Sequence, residues 1–99
     1  MAVTNLILIE TLCTHYDVEV SFIDSLSDLG LIEVQTVEQT RYLPEEKVTH
    51  LERIIRLHQE LDVNPEGIDV IFNLLEKINR LNEELSEAKN TLRRMGFPE

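Results

Sequence analysis

Tryptophan is absent from this 99-residue chain, cysteine occurs once, and glycine and proline occur three times each. The aromatic set is two tyrosines and three phenylalanines, too thin for the stacking platform that single-stranded nucleic acid uses. A lone Cys13 cannot staple the fold, which points to a soluble protein in the cytoplasm. Positive charge is scarce as well: 9 Lys and Arg face 19 Asp and Glu, for a net charge of −10. Such a field repels phosphate backbones, so a free-standing nucleic-acid binder is disfavoured. Long apolar runs are missing. Met1 to Glu10 is apolar in part, yet it has no basic leading region, no small-residue cleavage site and too little length to span a bilayer. Neither a targeting segment nor a membrane span is expected.

What remains is the composition of an ordinary folded domain. Hydrophobic residues at 42% supply a core, and the low glycine and proline content argues against disorder. A chain of this size leaves much of its surface exposed, so a partner or a second copy is a reasonable expectation.

Asn5 to Ile9 reads as a short strand. Ile9, Leu12, Cys13 and Tyr16 then recur at helical spacing, up to a turn at Asp17-Val18. A second short helix covers Val20 to Leu29 on an apolar side of Phe22, Ile23, Leu26 and Leu29, and Gly30 stops it. Between Leu31 and Leu43, two short runs across the polar Glu38-Gln39-Thr40 suggest a small hairpin or wing. Pro44 is expected to open a third helix at its first position, with Glu45 and Glu46 complementing the helix dipole. The core stripe of that helix is Val48, Leu51, Ile55 and His58, widened by Ile54 and Leu61. Asp62-Val63 breaks it. Asn64-Pro65-Glu66 restarts a helix as cap, first position and acidic first turn.

The last helix is the most informative stretch. Ile71, Leu74, Ile78, Leu81, Leu85, Ala88, Leu92 and Met95 step alternately by three and four, a heptad seam that keeps one stripe facing a partner helix. From Glu66 to Met95 such a helix is roughly 45 Å long at about 1.5 Å per residue, more than the preceding residues can cover. The expected organisation is a domain over residues 1–65 and a dimerisation helix over 66–99, in one structural unit that pairs about a two-fold axis. Ile71, Leu74, Ile78, Leu81, Leu85 and Leu92 form the expected dimer interface.

Chemical motifs are weak. Cys13, His15 and Asp17 imitate a nucleophile, a base and an orienter, but residues two apart on a helix point to opposite sides. Cys13 lies on the apolar stripe and reads as a small core residue. The three histidines lack metal-ligand spacing, and His58 reads as a half-buried packing residue. Asp62 to Gly67 imitates the opening of a calcium loop, yet the twelfth position, where a bidentate glutamate belongs, is Asn73. Nothing argues for an enzyme, and no cofactor or metal is expected.

The order of short helix, turn, short helix, Gly30-Leu31-Ile32, wing and two further helices resembles the winged helix-turn-helix of MerR-like regulators. Val18 at the turn, Ile23 in the second helix, Arg41 closing the wing, and Val48 and Leu51 in the third helix carry the likeness. Glu60-Leu61-Asp62-Val63 and Ile68 match the family's junction between helices. The resemblance implies a mainly α fold with a small β wing and a long C-terminal coiled-coil helix that pairs in a dimer.

The departures are as informative as the matches. Where MerR-type second helices carry Arg followed by Tyr for DNA contact, this chain has Asp24 and Ser25. Residues 1–43 hold seven acidic residues and one basic residue, Arg41. Within this superfamily the chain is most similar to chaperone-modulator proteins of the CbpM type. Ile9-Glu10-Thr11-Leu12-Cys13 and the junction from Leu57 through Leu61-Asp62-Val63-Asn64 carry that similarity. It implies binding to the J-domain of a DnaJ-like co-chaperone, which is held away from Hsp70. A J-domain presents a basic helix, so Glu19, Asp24, Asp28 and Glu33 are the expected contact residues by charge complementarity. The alternative is a MerR-like transcription regulator that reaches DNA through its wing or through a partner, with Arg41 as its support.

Overall fold

The computed structural model describes residues 5–97. Met1 to Thr4, the start of the stretch weighed as a targeting segment, lie outside them. Eight elements follow one another. They are β1 (Leu6–Leu8), α1 (Ile9–Tyr16), α2 (Val20–Asp28), β2 (Gln35–Val37), β3 (Thr40–Pro44), a 3-10 turn (Glu45–Lys47), α3 (Val48–Leu61) and α4 (Pro65–Arg94). The class is mainly α: a helix-turn-helix, a small β wing and a long final helix. The chain divides into two compact units, Met1–Asp69 and Val70–Glu99.

The first unit holds the core. Ile9, Leu12 and Cys13 of α1 are buried together with Phe22, Ile23 and Leu26 of α2 and Leu51, Ile54 and Ile55 of α3. Ile32, Leu43 and Ile68 complete it. Each fully buried aliphatic side chain contributes about 1.5–3 kcal/mol. The spacing of three and four within α1, α2 and α3 is therefore the driving pattern. Left-handed residues end the helices: Asp17 closes α1 (φ 55°), Gly30 follows α2 (φ 76°) and Asp62 closes α3 (φ 57°).

The three strands form an antiparallel sheet in the order β1-β3-β2. The hairpin is present, but its first strand is Gln35–Val37, exposed throughout, and the apolar run Leu31 to Val34 precedes it. Ile32 of that run goes to the core instead.

Pro44 does not open a helix. It is the last residue of β3, opposite Leu6 of β1, and α3 starts only at Val48. The reason is long-range. Leu43 is fully buried next to β1, and Asn5 and Glu45 carry the pairing past the proline, which has no N–H to give. The Glu45 N–H donates to the Asn5 carbonyl at 2.8 Å, and Asn5 Nδ2 donates to Glu45 Oε2 at 2.9 Å. Leu61 also departs from expectation. It lies on the side of Ile54 but two turns further along α3, and is 67% exposed.

Helix α4 starts as its cap sequence directs. Asn64 Oδ1 accepts the Gly67 N–H at 2.8 Å, in the place of a missing intrahelical partner. A Cβ at position 67 would come within 2.8 Å of Val63 Cγ1, so a larger residue there would force that side chain to shift. The helix stops at Gly96 (φ 84°), beyond which the Phe97 N–H donates to the Leu92 carbonyl at 2.9 Å. In the second unit, the seam residues Leu74, Ile78, Leu81, Leu85 and Leu92 are all exposed, and Ile71 is half-buried. Among the described residues no helix is long and apolar enough to cross a membrane.

Candidate functional site

Helix α2 occupies the position that a recognition helix would take. Phe22, Ile23 and Leu26 turn it toward the core, which leaves Ser21, Asp24, Ser25 and Asp28 on the opposite side. Two of its three serines serve local structure: Ser25 Oγ donates to the Ser21 carbonyl at 3.1 Å and Ser21 Oγ to Glu19 Oε2 at 3.3 Å. The outer side of α2 therefore contributes carboxylates and hydroxyls and no cation of its own.

The four expected contact residues are not equivalent. Asp24 and Asp28 share one side of α2, a turn apart, and Asp28 is exposed. Glu33 is exposed between α2 and β2. Glu19 precedes α2 in extended conformation and lines a cleft at the start of that helix. Asp24 is half-buried and ion-paired with Arg41 of β3. That bond pushes the Arg41 guanidinium further above its already high pKa. Asp24 thus carries a compensated charge, and the cation on which a DNA-contacting wing would rest is committed to α2.

The residues that imitate a catalytic set are kept apart. Cys13 is buried, and burial pushes its thiol pKa up, with Asp24 and Glu10 adding to the rise and Arg41 opposing it. A thiol in that state is a poor nucleophile at neutral pH. His15 is exposed and stands edge-on to Tyr16, with ring centroids 4.7 Å apart. Asp17 is the left-handed cap of α1. The calcium-like stretch is divided between two helix ends, with Asp62 capping α3 and Asn64 capping α4. Among the described residues no group of three or more His, Cys, Asp or Glu is placed to hold a metal ion.

Contacts between helices are not legible in the sequence. Tyr16 Oη donates to Glu52 Oε1 at 2.6 Å and ties α1 to α3. His58 stacks on Phe22 at 4.2 Å between centroids, while its Nδ1 bonds the Val63 carbonyl at 2.9 Å. Helical spacing placed His58 on the core stripe, but nothing local in the sequence names Phe22 as its neighbour.

Comparison with known proteins agrees with this architecture. Residues 7–90 match the profile of the MerR HTH family regulatory proteins. A chaperone modulatory protein CbpM of Pseudomonas entomophila is 34% identical over 86 residues, which cover 85% of this chain and 84% of the relative. A chaperone modulatory protein CbpM of Pseudomonas putida is 28% identical over 85 residues with the same coverage. With an acidic helix in the recognition position and matches that run through the wing into α4, the chain belongs to the MerR HTH family and, within it, to the CbpM-type chaperone modulators.

Proposed function

We propose that this protein is a non-enzymatic adaptor that binds the J-domain of a DnaJ-like co-chaperone and restrains its action on Hsp70. The observation that carries the reading is the outer side of α2, which offers carboxylates and hydroxyls where a DNA-binding relative needs cations. Each phosphate contact replaced by a carboxylate loses a counterion-release contribution and adds repulsion. A basic protein helix meets the same surface with complementary charge, which speeds encounter and selects the partner. Glu19, Asp24, Asp28 and Glu33 form the proposed contact set, with Asp28 and Glu33 carrying the uncompensated exposed charge. The functional form is a homodimer joined through Ile71, Leu74, Ile78, Leu81, Leu85 and Leu92, in the cytoplasm.

Calorimetric titration with a J-domain from the same organism tests the reading. Binding at micromolar affinity or tighter is expected, with Hsp70 competing for the same J-domain. Charge reversal at Asp28→Lys and Glu33→Lys should weaken binding about tenfold, with the melting temperature unchanged. Asp24 is unsuitable for that test, because a lysine there would face Arg41. Failure to bind any J-domain of the organism would remove the proposal.

A further inference from the structure

A cleft of about 350 Å³ opens where the ends of α1 and α3 meet the start of α2. We infer that it receives a lysine or arginine side chain of the protein partner. The inference rests on the J-domain reading above and names a point of contact within it. The contact set already proposed on and around α2 shares only Glu19 with this cleft.

Its construction is asymmetric in charge. Asp17, Glu19 and Asp62 stand on its wall, and no lysine or arginine lines it. Asp17 and Asp62 are also the left-handed caps of α1 and α3, so two helix C-termini converge there with their carboxylates. The partial negative charge of two helix C-termini favours a cation, and the opposing positive end of α2 is offset by Glu19 at its N-cap. The floor is different in kind. Phe22 and Val18 supply apolar surface, and His58 is held flat on the Phe22 ring. An apolar floor beneath an anionic wall suits a long side chain that lays its methylenes down and keeps its charged head at the rim.

Two observations choose this occupant over others. Among the described residues the carboxylates are not gathered into a set that could hold a metal ion, so a side-chain cation suits them better than a metal. The volume is near the lower end of ligand pockets, which run from about 300 to 1,000 Å³, and is enough for a single long side chain. The walls are also held in place before binding. Gln59 Nε2 donates to the Tyr16 carbonyl at 2.8 Å and to the Asp17 carbonyl at 3.4 Å, which ties α3 to the turn after α1. A preformed cleft loses less freedom when it is filled.

Neutralising the cleft without altering its backbone provides the test. Asparagine tolerates the left-handed conformation, so Asp17→Asn, Glu19→Gln and Asp62→Asn remove three charges and keep the caps. A control variant with Glu38→Gln, Glu46→Gln and Glu83→Gln removes three exposed charges outside both proposed contact regions. The full chain, the cleft variant and the control are each titrated with the J-domain of a DnaJ-like co-chaperone from the same organism. The expected result is at least about tenfold weaker binding for the cleft variant and less than about twofold for the control, at matched melting temperatures. Equal binding by wild type and the cleft variant would overturn the cleft and leave the J-domain reading standing. Equal losses in both variants would also overturn it, since the effect would then be the overall field. No binding by the wild type would remove both readings together.

Discussion

At the residue scale, Tyr16 records how packing resets a side chain. Burial and the hydrogen bond to Glu52 push its phenol up from 10 to about 12. The proton is therefore held more tightly in the folded chain than in the unfolded one. Below about pH 10 the contribution to stability is fully present, and it is lost as pH rises through about 12. A Tyr16→Phe variant should be about 1 kcal/mol less stable at neutral pH, from the lost hydrogen bond. Its stability should then fall less steeply than that of the wild type across the alkaline window. Denaturant unfolding at a series of pH values measures both, and identical alkaline slopes would refute the assignment. Asp24 gives the complementary lesson. A residue that looks like exposed acid is half-buried in an ion pair, and such partly exposed pairs contribute only about 0.2–1 kcal/mol. Its effect is to tie α2 to β3 and to commit the Arg41 guanidinium to a carboxylate.

At the scale of the element, the wing hairpin is the place where local sequence and backbone disagree. Val37 pairs with Thr40 across a two-residue loop, and both loop residues have positive φ, Glu38 at 50° and Gln39 at 66°. That geometry matches the right-handed twist of the strands but is normally filled by Asn-Gly. A left-handed residue other than glycine or asparagine costs about 1–2 kcal/mol. Replacing Glu38→Asn together with Gln39→Gly should accordingly raise stability, by about 1 kcal/mol once the extra unfolded-state freedom of glycine is counted. Thermal unfolding checks it, and a lower melting temperature would mean that these two side chains make contacts worth more than the strain. The start of α4 shows the opposite case, with Asn64, Pro65 and Gly67 each suited to its backbone position.

At the scale of the whole molecule, the exposed seam of α4 argues for a second copy. Leu74, Ile78, Leu81 and Leu85 are each about half exposed along one stripe of a 30-residue helix. Long exposed apolar stripes on a helix are covered in stable proteins, and a heptad repeat suits a partner helix. The wild type should sediment with the mass of two chains at micromolar concentration, and Leu81→Glu should give a single chain. A wild type that remains a single chain at every concentration would rule out the seam as a dimer interface. On the proposed J-domain reading, a dimer would present two acidic surfaces and would engage a paired partner with higher avidity.

The order of elements, the seam of α4, the cap at Asn64 and the core positions of α1 and α2 were all determined by the sequence alone. Each depends on periodicity or on a side chain acting within a few residues of itself, so a linear reading contains it. The acidity of α2 was likewise plain, because it needs only a helix and its side. Tertiary structure decided the rest. Pro44 became a strand residue because β1, almost forty positions earlier, claimed the segment before it. Asp24 lost its free charge because the hairpin brought Arg41 to it. Residues 17–22 met residues 58–62 only when α1, α2 and α3 closed around one core, and that closure made the cleft. Contacts between distant segments depend on how faces are buried together in three dimensions, which no local pattern encodes.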